Sequence, residues 1–262
     1  MAEPKVIYED KNFIAVNKPA GLLVHPARIN ADVHADKRRY NIRENLRTNQ
    51  RESATLVDWL LKRYPEIKNV GDDPANRPGI VHRLDKDTSG IMLIPRNQKY
   101  FEYLKSLFAE RKIWKTYLAV VYGRFSEKRG LINKPIGIKN GTTKRSVFSE
   151  KMAKEAVTEY RVLKNFRTAR TGPKPSAQNS QPEDFSLLEV KPKTGRTHQI
   201  RVHLASIGHP VVGDKLYGRK IHPAGTSRLM LHALSLEFSA AAGKRIKLET
   251  PPPPEFADFI LT

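Results

Sequence analysis

Short apolar runs bounded by polar turns, and apolar residues at helical spacing, occur along most of the chain, and this pattern predicts an irregular mixture of strands and helices. Residues 6–8 and 13–16 flank the polar turn 9–12 and predict an antiparallel hairpin. Runs rich in β-branched and aromatic residues predict further strands at 91–94, 113–122, 157–163, 185–190, 229–238 and 246–248. Because strands and helices follow no regular alternation, we expect an α+β fold rather than a doubly wound one.

Four segments carry the apolar spacing or the capping signals of helices. Residues 56–61 predict a short amphipathic helix. Asn97 is placed to cap a second helix, and Thr197 to cap a third that ends at Gly208. Residues 256–261 predict a terminal helix.

Composition adds a strong charge bias to this picture. The 262 residues include 47 Lys and Arg against 27 Asp and Glu, a formal charge of +20, and no Cys. The missing thiols exclude a disulfide scaffold, a thiolate zinc site and a cysteine nucleophile, and fit a reducing cytoplasm. No apolar run approaches the ~20 residues of a membrane span, and the N-terminus has no signal-peptide pattern. The charge favours a polyanionic partner, with nucleic acid first and an anionic membrane surface as the competing interpretation.

Two segments differ from the rest of the chain. Residues 27–52 contain seven Lys or Arg and four Asp or Glu, with arginines four positions apart at Arg39, Arg43, Arg47 and Arg51. If helical, these arginines share a broad face that could contact RNA phosphates, and a solvated face or a mobile insertion is an equal alternative. Residues 167–183 are rich in Ser, Thr, Pro, Gly and Asn and predict a flexible surface loop.

The most unusual polar run, residues 77–90, directly precedes a predicted buried strand. Function is often carried by such a loop on a rigid scaffold. Asp85 lies between Arg83 and Lys86, and nearby cations favour an ionised carboxylate that can serve as a nucleophile or a general base. For an isolated Asp, capping a turn is the commoner role.

A second polar cluster occupies residues 193–203. Helical spacing places His198 and Arg201 on adjacent turns, near a helix N-terminus that favours anions. Together with Arg196 they suit a phosphate or a carboxylate such as Asp85. An ordinary basic helix face is the alternative for each residue taken singly.

The chain lacks the motifs of metal and nucleotide sites. His198 and His203 are five apart with no carboxylate between them, so they do not form an H-E-x-x-H pair. Asp85 and Asp87 are a weak candidate for a divalent ion. Neither a phosphate-binding loop nor a dinucleotide fingerprint is present. We therefore expect no cofactor and no metal.

Several ordered motifs resemble one family. HRLDKDTSG at 82–90 and GRTHQIRVHLASIGHPVVGDKLYG at 195–218 resemble motifs of the RluA family of RNA pseudouridine synthases. VNKPAGLLVHP at 16–26, KTYLAVVYG at 115–123 and LMLHALSL at 229–236 match in the expected order. The resemblance spans roughly 5–260 and implies a largely antiparallel central sheet with a basic RNA-binding cleft. It also implies isomerisation of a flipped-out uridine to pseudouridine without a cofactor.

The resemblance assigns roles to three residues in the reaction. Asp85 corresponds to the essential aspartate, acting as nucleophile at C1′ or as base at C2′. Arg201 matches the arginine that pairs with it. Tyr117 matches the tyrosine that stacks on the flipped base and helps to remove the C5 proton.

The resemblance also implies substrate contacts around this centre. Arg83 resembles the arginine that fills the space the base has left, and Leu231 the apolar residue against the uracil. His82 and Thr88 are expected to support the loop, with Arg196 and His198 as further substrate-binding residues.

These motifs predict a cytoplasmic, monomeric enzyme that acts on structured RNA, with ribosomal RNA as the first substrate and transfer RNA as the second. We expect residues 1–262 to form one catalytic domain, without the N-terminal S4-type domain of some relatives. A catalytically silent RNA-binding or ribosome-assembly protein is one alternative, and a metal-dependent nuclease is a weaker one. Residues 27–52 depart from the family pattern, and we hypothesise that their arginines partly replace the missing domain.

Overall fold

A computed structural model of the chain describes residues 2–26, 55–139, 142, 144–168, 183–219, 226, 228–240 and 243–261. Within this part the strands are β1 Lys5–Glu9, β2 Phe13–Lys18, β3 Ser89–Pro95, β4 Trp114–Tyr122, β5 Arg129–Asn133, β6 Gly137–Ile138, β7 Arg145–Ser146, β8 Val157–Thr168, β9 Glu183–Pro192, β10 Leu231–Ser239 and β11 Arg245–Glu249. The helices are α1 Leu56–Arg63, α2 Gln98–Ala109, α3 Gln199–Ser206 and α4 Pro254–Leu261, with a 3₁₀ turn at Pro65–Asn69.

One mixed sheet organises the described residues. Its strand order is β1-β2-β3-β10-β4-β9-β8-β5, and β11 pairs with the second half of β10. All described pairings in this sheet are antiparallel except the short one between β3 and β10. This agrees with the largely antiparallel α+β fold predicted from the sequence.

The parallel contact between β3 and β10 requires a close approach of two backbones. Ser89 and Gly90 lie opposite His232 and Ala233. Gly90 has φ +122°, and a Cβ there would lie 2.2 Å from the Ala233 carbonyl oxygen. Only glycine fits this combination of conformation and space. The junction holds the loop before β3 against the start of β10, close to β4.

Two hydrophobic clusters cover the sheet. The first joins β1–β3 with α1, α2 and the second half of β10. The second joins β4, β9, α3, α4 and the start of β10. Both α1 and α2 bury their apolar faces, and each begins with a side-chain cap, Thr55 for α1 and Asn97 for α2. No helix in the described part of the chain is long and apolar enough to cross a bilayer.

The structure corrects some of the local predictions. The hairpin, α1, α2 and α4 are confirmed. Thr197 does not cap α3: the residue before the helix is His198, in the left-handed conformation and without a side-chain cap. At the predicted 167–183 loop, residues 167–168 belong to β8 and residue 183 to β9. Its interior, and the predicted 27–52 insertion with Arg39, Arg43, Arg47 and Arg51, lie outside the described residues.

A buried relay of hydrogen bonds ties β3 to β10 beside the junction. Arg228 Nη2 donates to Ser89 Oγ at 2.6 Å, and this oxygen lies 2.8 Å from His232 Nδ1. His232 Nε2 lies 3.1 Å from the carbonyl oxygen of Thr250. The Ser89 proton therefore points to Nδ1 and the imidazole is neutral, with its own proton on Nε2. Burial lowers the pKa of His232 to about 4, although the Thr250 carbonyl opposes the shift.

The relay predicts a loss of stability in acid. An unfolded histidine takes up a proton near pH 6.5, whereas folded His232 resists it down to about pH 4. The unfolded state binds more protons in this window, so the free energy of unfolding decreases as the pH falls. We expect His232 alone to cost on the order of 2 kcal/mol between about pH 7 and pH 4.5. Urea unfolding of wild type and His232→Gln at both pH values tests this, and an equal loss in the two proteins would contradict it.

Candidate active site

The predicted site residues converge on one cleft of about 530 Å³. The loop before β3, the end of α2, the start of β4, the end of β9 and the start of α3 contribute its walls. Nine predicted residues line it: His82, Arg83, Asp85, Thr88, Tyr117, Arg196, His198, Arg201 and Leu231. Residues more than a hundred positions apart in sequence therefore meet at one place.

Asp85 presents its carboxylate to this cleft. Its side chain is 24% exposed, and its Oδ2 accepts from Arg201 Nη1 at 3.3 Å. Its Oδ1 lies 3.8 Å from His198 Nε2. Arg83 and Lys86 are the neighbours of Asp85 in the sequence, but the cation that pairs with its carboxylate is Arg201. Arg83 instead has its Nη1 3.1 Å from His25 Nε2. One edge of the carboxylate is thus held while the group stays open to a ligand.

Arg201 is fixed by a second carboxylate that the sequence interpretation missed. Its Nε and Nη2 donate to Asp214 at 2.7 and 2.8 Å, and Asp214 also accepts from the backbone N–H groups of Leu216 and Tyr217. Burial alone would lower the pKa of Arg201, but its hydrogen bonds and charge contact with Asp214 raise it. Burial would likewise raise the pKa of Asp214, but Arg201 lowers it. Both groups are therefore charged, and Nη1 remains directed at Asp85.

His198 approaches Asp85 from the turn before α3. It has φ 58°, in the left-handed region, and its Nδ1 lies 2.9 Å from Tyr217 Oη. That hydroxyl oxygen accepts from the Arg145 N–H at 3.0 Å, so its proton is available to Nδ1 and the His198 proton lies on Nε2. Burial lowers the pKa of His198, against the opposing charge of Asp85. His198 is thus a neutral neighbour of the Asp85 carboxylate at neutral pH.

Tyr117 and Leu231 form an apolar wall of the cleft. Tyr117 in β4 pairs with Ala233 of β10, and Leu231 of β10 pairs with Ala119 of β4. Residues two apart on paired strands share a face of the sheet, so both side chains reach the same wall. Burial, and then the charge of Asp85, raise the pKa of Tyr117, which is therefore a neutral phenol. A flat aromatic ring and a leucine beside a carboxylate suit a planar, uncharged ring as ligand.

The cleft is strongly basic around this wall. The cations that line it are Arg83, Arg111, Lys115, Lys193, Arg196 and Arg201. Among the described residues that line it, Asp85 is the one acidic side chain. A site with this charge attracts a polyanion while it holds a planar ring.

Comparison with known proteins identifies the family. The family model described as RNA pseudouridylate synthase matches residues 12–206. The chain belongs to this family. The predicted family resemblance is therefore confirmed, and Asp85, Tyr117 and Arg201 lie together in the cleft of an RNA pseudouridylate synthase.

Relatives of this synthase cover almost the whole chain. The ribosomal large subunit pseudouridine synthase D of Borreliella burgdorferi is 34% identical over 255 residues, 97% of this chain and 67% of that protein. An uncharacterized RNA pseudouridine synthase of Aquifex aeolicus is 39% identical over 215 residues, 82% of this chain and 56% of that protein. The structure of human RNA pseudouridylate synthase domain containing 1 matches 97% of this chain and 86% of its own, with a TM-score of 0.67 and 26% identity.

Three of the predicted residues also support the walls of the synthase cleft. His82 Nε2 accepts from the Leu93 N–H at 2.8 Å, and its ring stacks on Phe108. Burial lowers the pKa of His82 to about 3, so this histidine is neutral. Thr88 is buried, and its N–H donates to the Asp85 carbonyl. Arg196 donates from Nε to the Glu155 carbonyl rather than to Asp85.

Lys18 is a further site residue that sequence reasoning missed. It is fully buried, and its Nζ donates to the carbonyl oxygens of Pro19, Leu22 and Lys86. Three acceptors require all three ammonium protons. Burial lowers the pKa of Lys18 to about 7, although Asp87 and Asp85 oppose the shift. Lys18 thereby ties the turn after β2 to the loop that carries Asp85. The sequence signal for it was a lysine at the end of a strand whose first four residues are apolar.

The weak metal candidate gains no support from the side chains. Among the described residues no group of three or more His, Asp or Glu side chains is placed to hold a metal ion. Asp85 is paired with Arg201, and Asp87 is exposed. The geometry therefore does not favour the nuclease alternative.

Proposed function

We propose that this chain converts specific uridines to pseudouridine in the ribosomal RNA of the large subunit. The observation that carries the proposal is the Asp85–Arg201 pair, which faces the Tyr117 and Leu231 wall inside a basic cleft. Relatives that are 34% and 35% identical to this chain are named ribosomal large subunit pseudouridine synthase D, which supports this choice of RNA. Transfer RNA is the second candidate substrate.

The proposed reaction rearranges bonds within one nucleotide. The C1′–N1 bond breaks, the uracil turns over, a C5–C1′ bond forms, and the C5 proton passes to N1 of the product. Reactants and products contain the same atoms and electrons, so the chain needs no cofactor for this step. Asp85 acts as nucleophile at C1′ or as base at C2′, and both roles require the carboxylate that Arg201 stabilises.

The cleft also has the features needed to hold a base removed from its stack. Extruding a nucleotide costs a few kcal/mol, which contacts in the pocket must offset. Tyr117 offers its ring face and Leu231 its apolar side chain. Burial raises the pKa of Tyr117, so its phenolate would be a strong base but is rarely populated. Stacking on the base is therefore the main role proposed for this side chain. Arg83, exposed at the rim, is available to enter the vacated stack.

Mapping pseudouridine across total RNA tests this proposal in cells. RNA from cells with and without the gene is compared, and the gene is restored as wild type or as Asp85→Ala. We expect one or more sites to vanish without the gene and to return with the wild type alone. Return of the modification with Asp85→Ala would refute the role of Asp85, and sites confined to transfer RNA would replace the proposed substrate.

We also propose that residues 1–262 act as one cytoplasmic, monomeric catalytic domain.

We further propose that four arginines contact RNA phosphates, namely Arg39, Arg43, Arg47 and Arg51. Each phosphate contact contributes roughly 0.7–0.9 to the slope of log K against log salt. Replacing all four arginines with Ala should therefore weaken RNA binding and reduce that slope by up to about 3. Binding titrations at several salt concentrations measure it, and an unchanged slope would contradict the proposal.

A further inference from the structure

A loop outside the catalytic cleft leaves an aromatic ring largely open to solvent. Residues 144–154, which we call the Phe148 loop, begin just before β7, include that strand and run toward β8. The side chain of Phe148 is 86% exposed and that of Met152 is 64% exposed. Large apolar groups this exposed on one short segment are typical of a binding surface.

The Phe148 loop is held in place by hydrogen bonds. The Phe148 N–H donates to Ser146 Oγ at 3.1 Å, and Ser149 Oγ donates to the Ile138 carbonyl. The Ile138 N–H donates to the Lys151 carbonyl at 2.9 Å, and Ile136 and Lys154 form a two-way backbone bridge. The phenyl ring is therefore presented to solvent by an anchored backbone. Binding of a ligand to the ring would therefore cost little conformational entropy in the loop backbone.

The same loop carries exposed positive charge. Lys144, Lys151 and Lys154 are exposed, and none of them forms an ion pair with a carboxylate in the described part of the chain. Glu150 is the one acidic residue of the loop. Proteins bind single-stranded nucleic acid with exposed aromatic rings, which stack on bases, and with basic side chains, which contact phosphates. The Phe148 loop offers both kinds of group.

The Phe148 loop is joined to the catalytic residues at both of its ends. At the first, the Arg145 N–H donates to Tyr217 Oη, which in turn contacts His198 beside Asp85. Glu155 directly follows the second end of the loop. Its carboxylate accepts a hydrogen bond from Arg111, and its carbonyl oxygen accepts one from Arg196. Both arginines line the cleft. The backbone at both ends of the Phe148 loop is therefore bonded to residues of the cleft or to their neighbours.

We propose that the Phe148 loop is a second RNA-contact site, where the Phe148 ring stacks on an unpaired base of the substrate and Lys144, Lys151 and Lys154 contact neighbouring phosphates. The inference rests on the proposed function for its choice of RNA. It places part of substrate selection outside the cleft, because an RNA must offer an unstacked base near the target uridine to use both sites.

Binding and single-turnover measurements on one RNA test this inference. The probe is an unmodified transcript of the host's large-subunit ribosomal RNA. Phe148→Ala should raise its Kd at least about fivefold, because stacking of one base contributes ~1–3 kcal/mol. The rate at saturating RNA should stay within about twofold of wild type, because Phe148 touches no reacting group. Phe148→Trp should keep the wild-type Kd, because tryptophan also stacks on a base. RNA should quench the fluorescence of the tryptophan introduced at this position.

A matched control uses Leu131, which is 60% exposed on β5, a strand at the edge of the sheet. Leu131→Ala should leave the Kd unchanged. A wild-type Kd for Phe148→Ala, with no quenching in Phe148→Trp, would overturn the inference. So would a change of sedimentation in Phe148→Ala without a change of Kd, which would show a contact between protein copies. If the wild type forms no pseudouridine but Phe148→Ala still weakens binding, the contact site is supported and the proposed function fails.

Discussion

Replacing Asp85 with Asn is expected to lower the single-turnover rate of pseudouridine formation by about four orders of magnitude or more. Asparagine keeps the size of the side chain and can still contact Arg201, but it cannot serve as a nucleophile at C1′ or as a base at C2′. RNA binding should change little, because the six cations that line the cleft are all retained. Rapid-quench measurement with saturating enzyme separates the chemical step from binding.

Asp87 supplies the matched control for this prediction. It is an exposed carboxylate two residues after Asp85, and it does not line the cleft. Asp87→Asn should keep a rate within about threefold of wild type, since a surface substitution away from the site has small effects. An Asp85→Asn protein that keeps more than about one hundredth of the wild-type rate would contradict the assignment of Asp85.

Replacing Asp214 with Asn is expected to impair both stability and activity. Arg201 and Asp214 are buried together, and removal of one partner leaves an uncompensated buried charge, at a cost of about 3–5 kcal/mol. Arg201 also loses the carboxylate that fixes two of its nitrogen atoms, so Nη1 is no longer held toward Asp85. Urea unfolding should show the loss of stability. The single-turnover rate at saturating RNA, measured well below the unfolding midpoint, should fall by about tenfold or more.

Glu159 offers a comparison for the stability measurement. Its carboxylate accepts from Lys193 Nζ at 2.9 Å, but both side chains are more than 40% exposed. Glu159→Gln should cost below about 1 kcal/mol, the range of a surface ion pair. If Asp214→Asn is as stable as Glu159→Gln, Arg201 does not depend on Asp214 in the way proposed.

The strand and helix patterns predicted most of the fold because those segments have strong local signals. The short apolar runs of β1 and β2, the polar turn between them and the caps of α1 and α2 act within a few residues. In contrast, β5 went unpredicted because Arg129–Asn133 is short and has only two large apolar residues, and it is a strand that pairs with β8. The cap signal at Thr197 was wrong by one residue, because the residue before α3 is His198, in a left-handed conformation that no local pattern indicated.

The proposed catalytic residues were predicted through family motifs, whereas the residues that support them were not. Asp85, Tyr117 and Arg201 lie in motifs that the resemblance matched. Asp214 lies in the motif that contains Arg201, and Lys18 in the motif at 16–26, but their importance depends on burial and on partners that only the folded chain supplies. A buried arginine needs a carboxylate to balance its charge, and the sequence alone does not show that Arg201 is buried.

The most direct test is to incubate the purified chain with total RNA from cells that lack the gene, in the presence of EDTA. Nucleosides are quantified after digestion, and RNA length is examined before it. Isomerisation by Asp85 predicts that uridine lost equals pseudouridine gained, that the RNA stays intact, and that Asp85→Asn gives no product. RNA that is bound but unmodified, RNA that is cleaved, or equal product from Asp85→Asn would contradict the account.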